Sequence, residues 1–531
     1  MDLYSRLLAF YQLDAKSLSE RQLQGDLSLI PSPLETFKGM KEALGLIRKH
    51  LESKDKIVIY GDYDVDGMTS TAILVKMFNK SGVNPGFFIP SRYHNGYGLN
   101  REMVEQFALK GYKLLLTIDN GISAYEGIKA AKEAGMDVLV IDHHALEDKL
   151  PEADLIIHPA LSGGYVDYNI SAACLAFLLD YAFYQKADPY QALEAGIAVF
   201  SDAMPLKGIN LTLAEFSLAQ LKEGKYPQFN FLLNGPKDFV SSKDISFSIV
   251  APLNALGRVD IGIKNNDGVR FLLAQKQEDI EEYGRFILDN SLSKKRKASY
   301  LKETLFNDPR EKDQPLIIIY NPEMEIGLAG AACSSLAEKE HKPVIVFSKV
   351  QGEEGKLVGS GRAPSGFDLF SLVSKFKDSY LAFGGHKEAL GLTIKETDLE
   401  SFKKKINEEL KTHEVKVPNE RALLINNDDF SFSSLKAIRM FEPFGTDFKE
   451  PLFAYWLSKE RLAFSRDGKH LIVYLNQEAG VVAFNVDLTL FNSDGPFLLL
   501  GNLEEDNFNG RKKVRFNTSK VILDPSKVDL F

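Results

Sequence analysis

Cysteine is nearly absent from this chain. Cys174 and Cys333 are the only two in 531 residues and no CxxC spacing occurs, which excludes a disulfide framework and a thiolate metal site and leaves both as expected core residues. Low-complexity tracts and repeats of fixed period are also missing, so neither a disordered tail nor a solenoid is expected. The first twenty residues, MDLYSRLLAFYQLDAKSLSE, carry acids and have neither a basic flank nor a continuous apolar run. They predict no signal peptide and no membrane span, with the cytoplasm as the default location. An excess of base is lacking too: 64 Lys and Arg stand against 73 Asp and Glu, a net charge of −9, so nothing draws the whole molecule to a polyanion. A nucleic-acid reading must rest on local patches, although carboxylates that hold cations attract phosphate through those cations.

Within these limits the chain has ordinary globular composition and a length that supports two to four domains. Between residues 56 and 159, short β-rich runs (KIVIY, GFFIP, KLLLTI, DVLVI, DLIIH) alternate with helical stretches at 68–79 and 123–134. This alternation predicts a parallel sheet with crossover helices, whose ligands bind beyond the carboxyl ends of the strands. Residues 279–305 read as a long connector helix; PLIIIY and KPVIVF around a small-residue helix at 330–337 read as a second α/β unit. HLIVYL, GVVAF, FLLLG and KVRFNT read as short alternating strands of a small β-barrel of the OB type. The fold class expected is therefore α/β, with two α/β units joined by a long helix and followed by an OB-type barrel. The boundaries expected are 1–270, 271–306, 307–413 and 414–531.

The chemistry concentrates where polar clusters follow the strand runs. Asp62, Asp64 and Asp66 crowd into GDYDVDG after KIVIY, an arrangement that mutual repulsion disfavours unless a hard cation neutralises it. A calcium EF-hand loop is excluded because no glutamate stands at its twelfth position. Asp119 in TIDNG follows KLLLTI, and Asp142, His143 and His144 follow DVLVI. Asp202, in SDAMPL after an apolar helix at 190–200, is a fourth acidic position. Taken singly, a turn aspartate or a structural histidine explains each one. Four such segments separated by whole structural units point to one shared metal centre.

In order and spacing, GDYDVDG, TIDNG, DHH and SDAMPL resemble the four motifs of the DHH phosphoesterases. The resemblance implies two divalent cations, Mn²⁺ ahead of Mg²⁺. One would sit on Asp64 and Asp119 with Asp62 close by, and the other on Asp66, Asp119, His143 and Asp202. His144 would face the scissile phosphate and Asp142 would orient the neighbouring imidazole. Tyr60 stands where some relatives have a histidine. PLNALGR, ending at Arg258, resembles the Asn-Ala-x-Gly-Arg segment of the RecJ family, in which the arginine would hold a substrate phosphate; a buried ion pair is the competing reading. GSGRAPSGFDL and GGHKEALG resemble the DHHA1 domain. That implies backbone contacts to DNA from Ser360 and Arg362, close approach at Gly384 and Gly385, and a donor in His386, with Leu390 replacing a small residue at the cost of a local packing change. FEPFGTDFKEPLF resembles the entry to the RecJ OB domain, with Phe448-Lys449 in place of Asn-Pro. Beyond it, Lys469, Arg511, Lys512, Lys513 and Arg515 supply cations, with Phe508 or Phe516 expected to stack bases.

The activity implied is a 5′ to 3′ exonuclease that releases mononucleotides from single-stranded DNA in recombination and repair. The partners implied are single-stranded DNA and, for loading, a single-strand-binding protein or a helicase, with a cytoplasmic monomer and no membrane contact. Two other readings compete: a phosphodiesterase for oligoribonucleotides or cyclic dinucleotides, and a replication scaffold without catalysis. The second is disfavoured because a scaffold has no physical need for clustered carboxylates.

Overall fold

The computed structural model describes residues 1–91, 98–146, 148–162, 169–257, 265–305, 313–340, 342–349, 355–364, 366–411, 419–484, 486–492, 495–508 and 511–531. Helices α1 (Leu3–Tyr11) and α2 (Ala15–Gln22) open the chain. Strands β1 (Lys56–Tyr60), β2 (Gly86–Phe88), β3 (Tyr112–Ile118), β4 (Asp137–Ile141) and β5 (Leu155–Ile157) form the first sheet, with helix α3 (Val65–Lys80) between β1 and β2. Every pairing is parallel and the order is β2-β1-β3-β4-β5, so the winding reverses between β1 and β3. Tyr60 pairs with Thr117 and Ile118 with Ile141, which brings the carboxyl ends of β1, β3 and β4 to one edge. A parallel sheet places its ligand crevice at such a reversal.

Helix α3 starts earlier than the sequence suggests, at Val65 rather than residue 68, because the Asp64 carboxylate accepts the Gly67 N–H at 3.1 Å and caps the first turn. Asp66 is thereby carried on the helix. Helices α4 (Ala172–Tyr184), α5 (Pro189–Ser201) and α6 (Gly208–Glu223) pack behind the sheet, with α4 and α5 almost wholly buried, and α7 (Ala251–Leu256) follows them.

Helix α8 (Gln277–Leu305), 29 residues long, leads to a second sheet of β6 (Ile317–Tyr320), β7 (Val344–Lys349), β8 (Lys356–Arg362), β9 (Ala382–His386) and β10 (Ala389–Lys395), ordered β6-β7-β8-β10-β9, with helix α9 (Ile326–Glu340) against it. The C-terminal unit is a seven-stranded sheet of β11 (Glu420–Ile425), β12 (Phe453–Leu457), β13 (Leu471–Tyr474), β14 (Ala479–Ala483), β15 (Phe497–Phe508), β16 (Arg511–Ile522) and β17 (Val528–Leu530). Strands β15 and β16 are longer than their apolar runs because opposite charges pair across them, Glu504 with Arg515 and Asp506 with Lys513, which extends the ladder past the apolar segment. Among the described residues no helix is long and apolar enough to cross a membrane.

The N-terminal helices bury Leu3, Leu7, Phe10 and Leu18 in the core of this C-terminal unit. Tyr11 stacks on Phe448 at 4.6 Å, and the Arg21 guanidinium lies 4.0 Å from the centre of the same ring. The phenylalanine at this departure from the family pattern therefore serves as the seat for the N-terminal helices.

Where α6, α2 and the C-terminal unit meet, burial pushes the Glu215 carboxyl up to about 8, against the pull of Arg21, while Glu442 adds like charge. A carboxyl that is raised in the folded state contributes its stability below the ordinary carboxylate range and loses it as pH rises toward 8. Glu215→Gln carries no such charge. Its melting temperature relative to the wild type is therefore expected to climb between pH 5 and pH 8 in a thermal-shift series, and a flat difference would contradict this account.

Candidate metal centre

The sheet edge gathers the residues that sequence reasoning singled out. Asp62 and Asp64 leave β1, Asp66 sits in the first turn of α3, Asp119 follows β3, and Asp142, His143 and His144 follow β4; Asp202 ends α5. Three sets of ligand atoms, each within 4.8 Å of one another, occur here: Asp62, Asp64 and Asp119; Asp66, His143 and Asp202; and Asp119, His143 and His144. His143 Nε2 is shared by the last two, 3.1 Å from Asp119 Oδ1, 3.4 Å from Asp202 Oδ2 and 3.5 Å from Asp66 Oδ2.

Local backbone chemistry explains how so many carboxylates stay close. Gly67 is required because a Cβ there would lie 2.4 Å from the Asp62 carbonyl oxygen. Asp119 adopts the left-handed conformation, φ 62°, which aspartate and asparagine tolerate better than most residues, and its N–H donates to the Ile141 carbonyl at 3.0 Å. Asp66 accepts the N–H groups of Ala172 and Ala173, both at 2.7 Å, at the start of α4. Asp142 accepts from the backbone of Ile122, His143 and His144 and bonds His144 Nδ1 at 2.8 Å. Tyr60 belongs to the core: its ring is buried and its hydroxyl donates to the Gly98 carbonyl at 2.9 Å.

The electrostatics test whether these residues fit divalent cations. Burial, with the charge of Asp64, raises Asp66 to about 7; burial and Asp66 raise Asp202 to about 9; burial and the surrounding aspartates hold Asp119 well above the carboxylate range. Without added positive charge these groups cannot all ionise together. Burial lowers His143 to about 4, so its ring is neutral and offers a nitrogen lone pair. For Asp142 burial acts upward, yet the His144 bond and the backbone donors bring it down to about 2. That same Asp142 bond raises His144 to about 9. Clustered carboxylate oxygens with one neutral imidazole fit Mn²⁺ or Mg²⁺.

Two supporting residues were not assigned from sequence. His158, at the end of β5, donates from Nε2 to the His144 carbonyl oxygen at 2.8 Å while its Nδ1 accepts the Ala160 N–H. Its signal was the one used for the motifs, a polar residue just past a parallel strand. Asn254, in the PLNALGR segment, accepts the Val65 N–H at 3.0 Å and so holds the start of α3. Arg258 of that segment lies outside the described residues.

Ser360, Arg362, Gly384, Gly385 and His386 form a second group on the second sheet. Strand β10 lies between β8 and β9, and pairing sets Arg362, Ala389 and His386 in one row and Ser360, Gly391 and Gly384 in another. Gly385 has φ 142°, and a Cβ there would lie 2.4 Å from the Ala389 carbonyl oxygen; a Cβ at Gly384 would meet open space. Leu390 is buried, its side chain against Gly361.

Among the expected base-stacking residues, Phe516 is fully buried in the C-terminal core because its strand position faces inward, so it presents no surface. The side chain of Phe508 lies outside the described residues. Among the described residues, Tyr474 and Phe484 are rings exposed beside the cations, 74% and 54% exposed, with Lys513 Nζ 5.4 Å from the first and Arg515 6.0 Å from the second. Lys512 and Arg515 already pair with Glu505 and Asp506.

A parallel sheet with carboxylates and a neutral histidine gathered at its winding reversal, followed across a long helix by a second α/β unit, is the architecture that the resemblance to the DHH phosphoesterases implies. Family models for the DHH family N-terminal domain, the DHHA1 domain and the RecJ OB domain match residues 56–199, 313–412 and 423–520. In these three parts and in their order the chain is similar to the RecJ family. It is 29% identical over 566 residues to the single-stranded-DNA-specific exonuclease RecJ of Escherichia coli, covering 97% of this chain and 94% of that one. It is 31% identical over 422 residues to the protein of the same name from Bacillus subtilis, covering 77% of this chain; the chain spans about half, 53%, of that relative. The crystal structure of RecJ in complex with Mn²⁺ from Thermus thermophilus superimposes with a TM-score of 0.79 at 24% identity, covering 98% of this chain and 78% of that one.

Proposed function

We propose that the chain is a divalent-cation-dependent exonuclease that hydrolyses single-stranded DNA, acting from the 5′ end and releasing mononucleotides. The observation that carries this reading is the convergence of Asp62, Asp64, Asp66, Asp119, His143 and Asp202 at one sheet edge, in a chain whose domain order matches relatives named for that activity. The cations would be held by Asp62, Asp64 and Asp119 and by Asp66, His143 and Asp202, with Mn²⁺ favoured by the imidazole. When bound they supply charge neutralisation at the phosphodiester and a more acidic water.

The chain's own residues do the positioning. Asp142 fixes the His144 ring through Nδ1, leaving Nε2 to face the scissile phosphate. Arg258, Ser360, Arg362 and His386, with the backbone at Gly384 and Gly385, would hold the neighbouring phosphates. Tyr474 and Phe484 offer ring faces on which successive bases stack. A base–aromatic stack is worth about 1–3 kcal/mol, so the double variant Tyr474→Ala/Phe484→Ala is expected to weaken binding of a long single strand by roughly tenfold or more, while cleavage of a very short oligonucleotide at saturation is unchanged. Fluorescence anisotropy and single-turnover assays separate these effects, and equal losses on both substrates would remove the rings from the DNA path.

The deciding experiment incubates the protein with 5′-labelled single-stranded and duplex DNA, in Mn²⁺ or EDTA. Early labelled mononucleotide from the single strand alone, in Mn²⁺ alone, is the expected result. Failure to cleave DNA under any condition would redirect the reading to a small-nucleotide phosphodiesterase.

A further inference from the structure

Asp202 ends α5, and the chain then turns sharply. Ala203 is left-handed, φ 51°, an unfavourable conformation for a residue with a Cβ that persists only where its surroundings hold it. On the near side the turn is tied within its own domain: Met204 N–H donates to Val199, and Asn210 Nδ2 to the Pro205 carbonyl. On the far side the tie comes from the C-terminal unit. Pro205 and Thr446 form a parallel bridge, and the Leu206 N–H donates to the Thr446 carbonyl at 3.3 Å. Gly445 lies directly over Leu206, so that a Cβ built there would be 3.1 Å from Leu206 Cδ1. Lys207 pairs with Asp447 at 3.2 Å.

The loop that reaches Leu206 is itself firmly seated. Gly445 and Phe448 exchange backbone hydrogen bonds, Ser242 Oγ donates to Glu442 at 2.5 Å, and Lys243 bridges Glu450 and Glu504. From the N-terminal helices, Tyr11, Arg21 and Gln22 donate to the carbonyls of Lys449, Pro443 and Met440.

We propose that the turn closed by Gly445 and Phe448 is a positioning element of the metal centre: by fixing Pro205 and Leu206 it holds the Asp202 carboxylate beside His143 and Asp66. The proposal rests on the reading of Asp202 as a metal ligand. The C-terminal unit then has a role in metal binding that is separate from any contact with DNA, and removing it would damage the catalytic centre even for short substrates.

The test measures Mn²⁺ binding to full-length, EDTA-stripped protein by the electron paramagnetic resonance signal of free Mn²⁺, with melting temperature and single-strand binding in EDTA as controls. Gly445→Val pushes the loop off Leu206 and is expected to weaken Mn²⁺ binding about tenfold, the size of effect typical of groups that orient ligands, while single-strand binding in EDTA is unchanged. Leu206→Ala/Gly445→Val, which exchanges bulk across the contact, is expected to restore most of the affinity. Gly445→Ala, a single methyl, gives a smaller loss in the same direction and decides the matter should the valine variant melt early. Mn²⁺ binding at wild-type strength in both Gly445 variants, with Asp202→Asn weakened, overturns the positioning role alone. Wild-type binding in Asp202→Asn overturns the ligand reading and the proposal with it.

Discussion

Asp119→Asn is expected to lower Mn²⁺-dependent cleavage of single-stranded DNA by about three orders of magnitude, the equivalent of ~4 kcal/mol of charge stabilisation. Asp119 is the carboxylate common to the Asp62–Asp64 set and the His143–His144 set, and its Oδ1 lies 3.1 Å from His143 Nε2. Asparagine keeps the volume and accepts the left-handed backbone, so the loss cannot be assigned to misfolding. Stability moves the other way. A buried carboxyl held well above its ordinary range by like charges is unfavourable without cations, so the variant is expected to melt at or above the wild-type temperature in EDTA. Product release on denaturing gels and a thermal-shift assay check both halves. Activity within tenfold of wild type would remove Asp119 from the centre.

His144→Ala is expected to cost about 10²- to 10³-fold in the chemical step, the loss typical of one preorganised donor to developing charge. The ring is more than half exposed, anchored at Nδ1 by Asp142, with its backbone carbonyl held by His158. Mn²⁺ affinity separates the two roles open to this side chain. A phosphate contact leaves affinity within about threefold of wild type, whereas a ligand loss lowers it by the tenfold or more expected when a metal site is disturbed. Single-turnover kinetics at saturating Mn²⁺ alongside a metal titration distinguish them, and an unchanged chemical step would remove His144 from contact with the phosphate.

Much of the centre was legible because a parallel sheet converts sequence order into position. Once KIVIY, KLLLTI and DVLVI are read as adjacent parallel strands, whatever follows each must emerge at one edge, and Asp62, Asp119 and His143 do so. His158 follows the same logic and was overlooked because its run, DLIIH, ends in a single histidine rather than a polar cluster. Asn254 stood in the PLNALGR segment, but nothing local pointed to its partner, the Val65 N–H, 189 positions away. Phe516 illustrates the converse difficulty. Alternation shows that KVRFNT has two faces, but which one meets the core depends on the strand register against β14 and β15.

By itself, then, the sequence determined the order of α/β units, the long helix between them, the chemical type of the centre and the edge at which it forms. Those features depend on strand periodicity, on capping and turn residues and on the repulsion of close carboxylates, all of which act over a few residues. Only the tertiary structure decided that the N-terminal helices dock on the C-terminal unit and that Tyr474 and Phe484 rather than Phe516 face solvent. It alone also decided that Gly445 and Thr446 of the C-terminal unit close on the segment after Asp202. These depend on contacts between segments hundreds of residues apart, whose partners are chosen by packing and register and leave no trace in local composition.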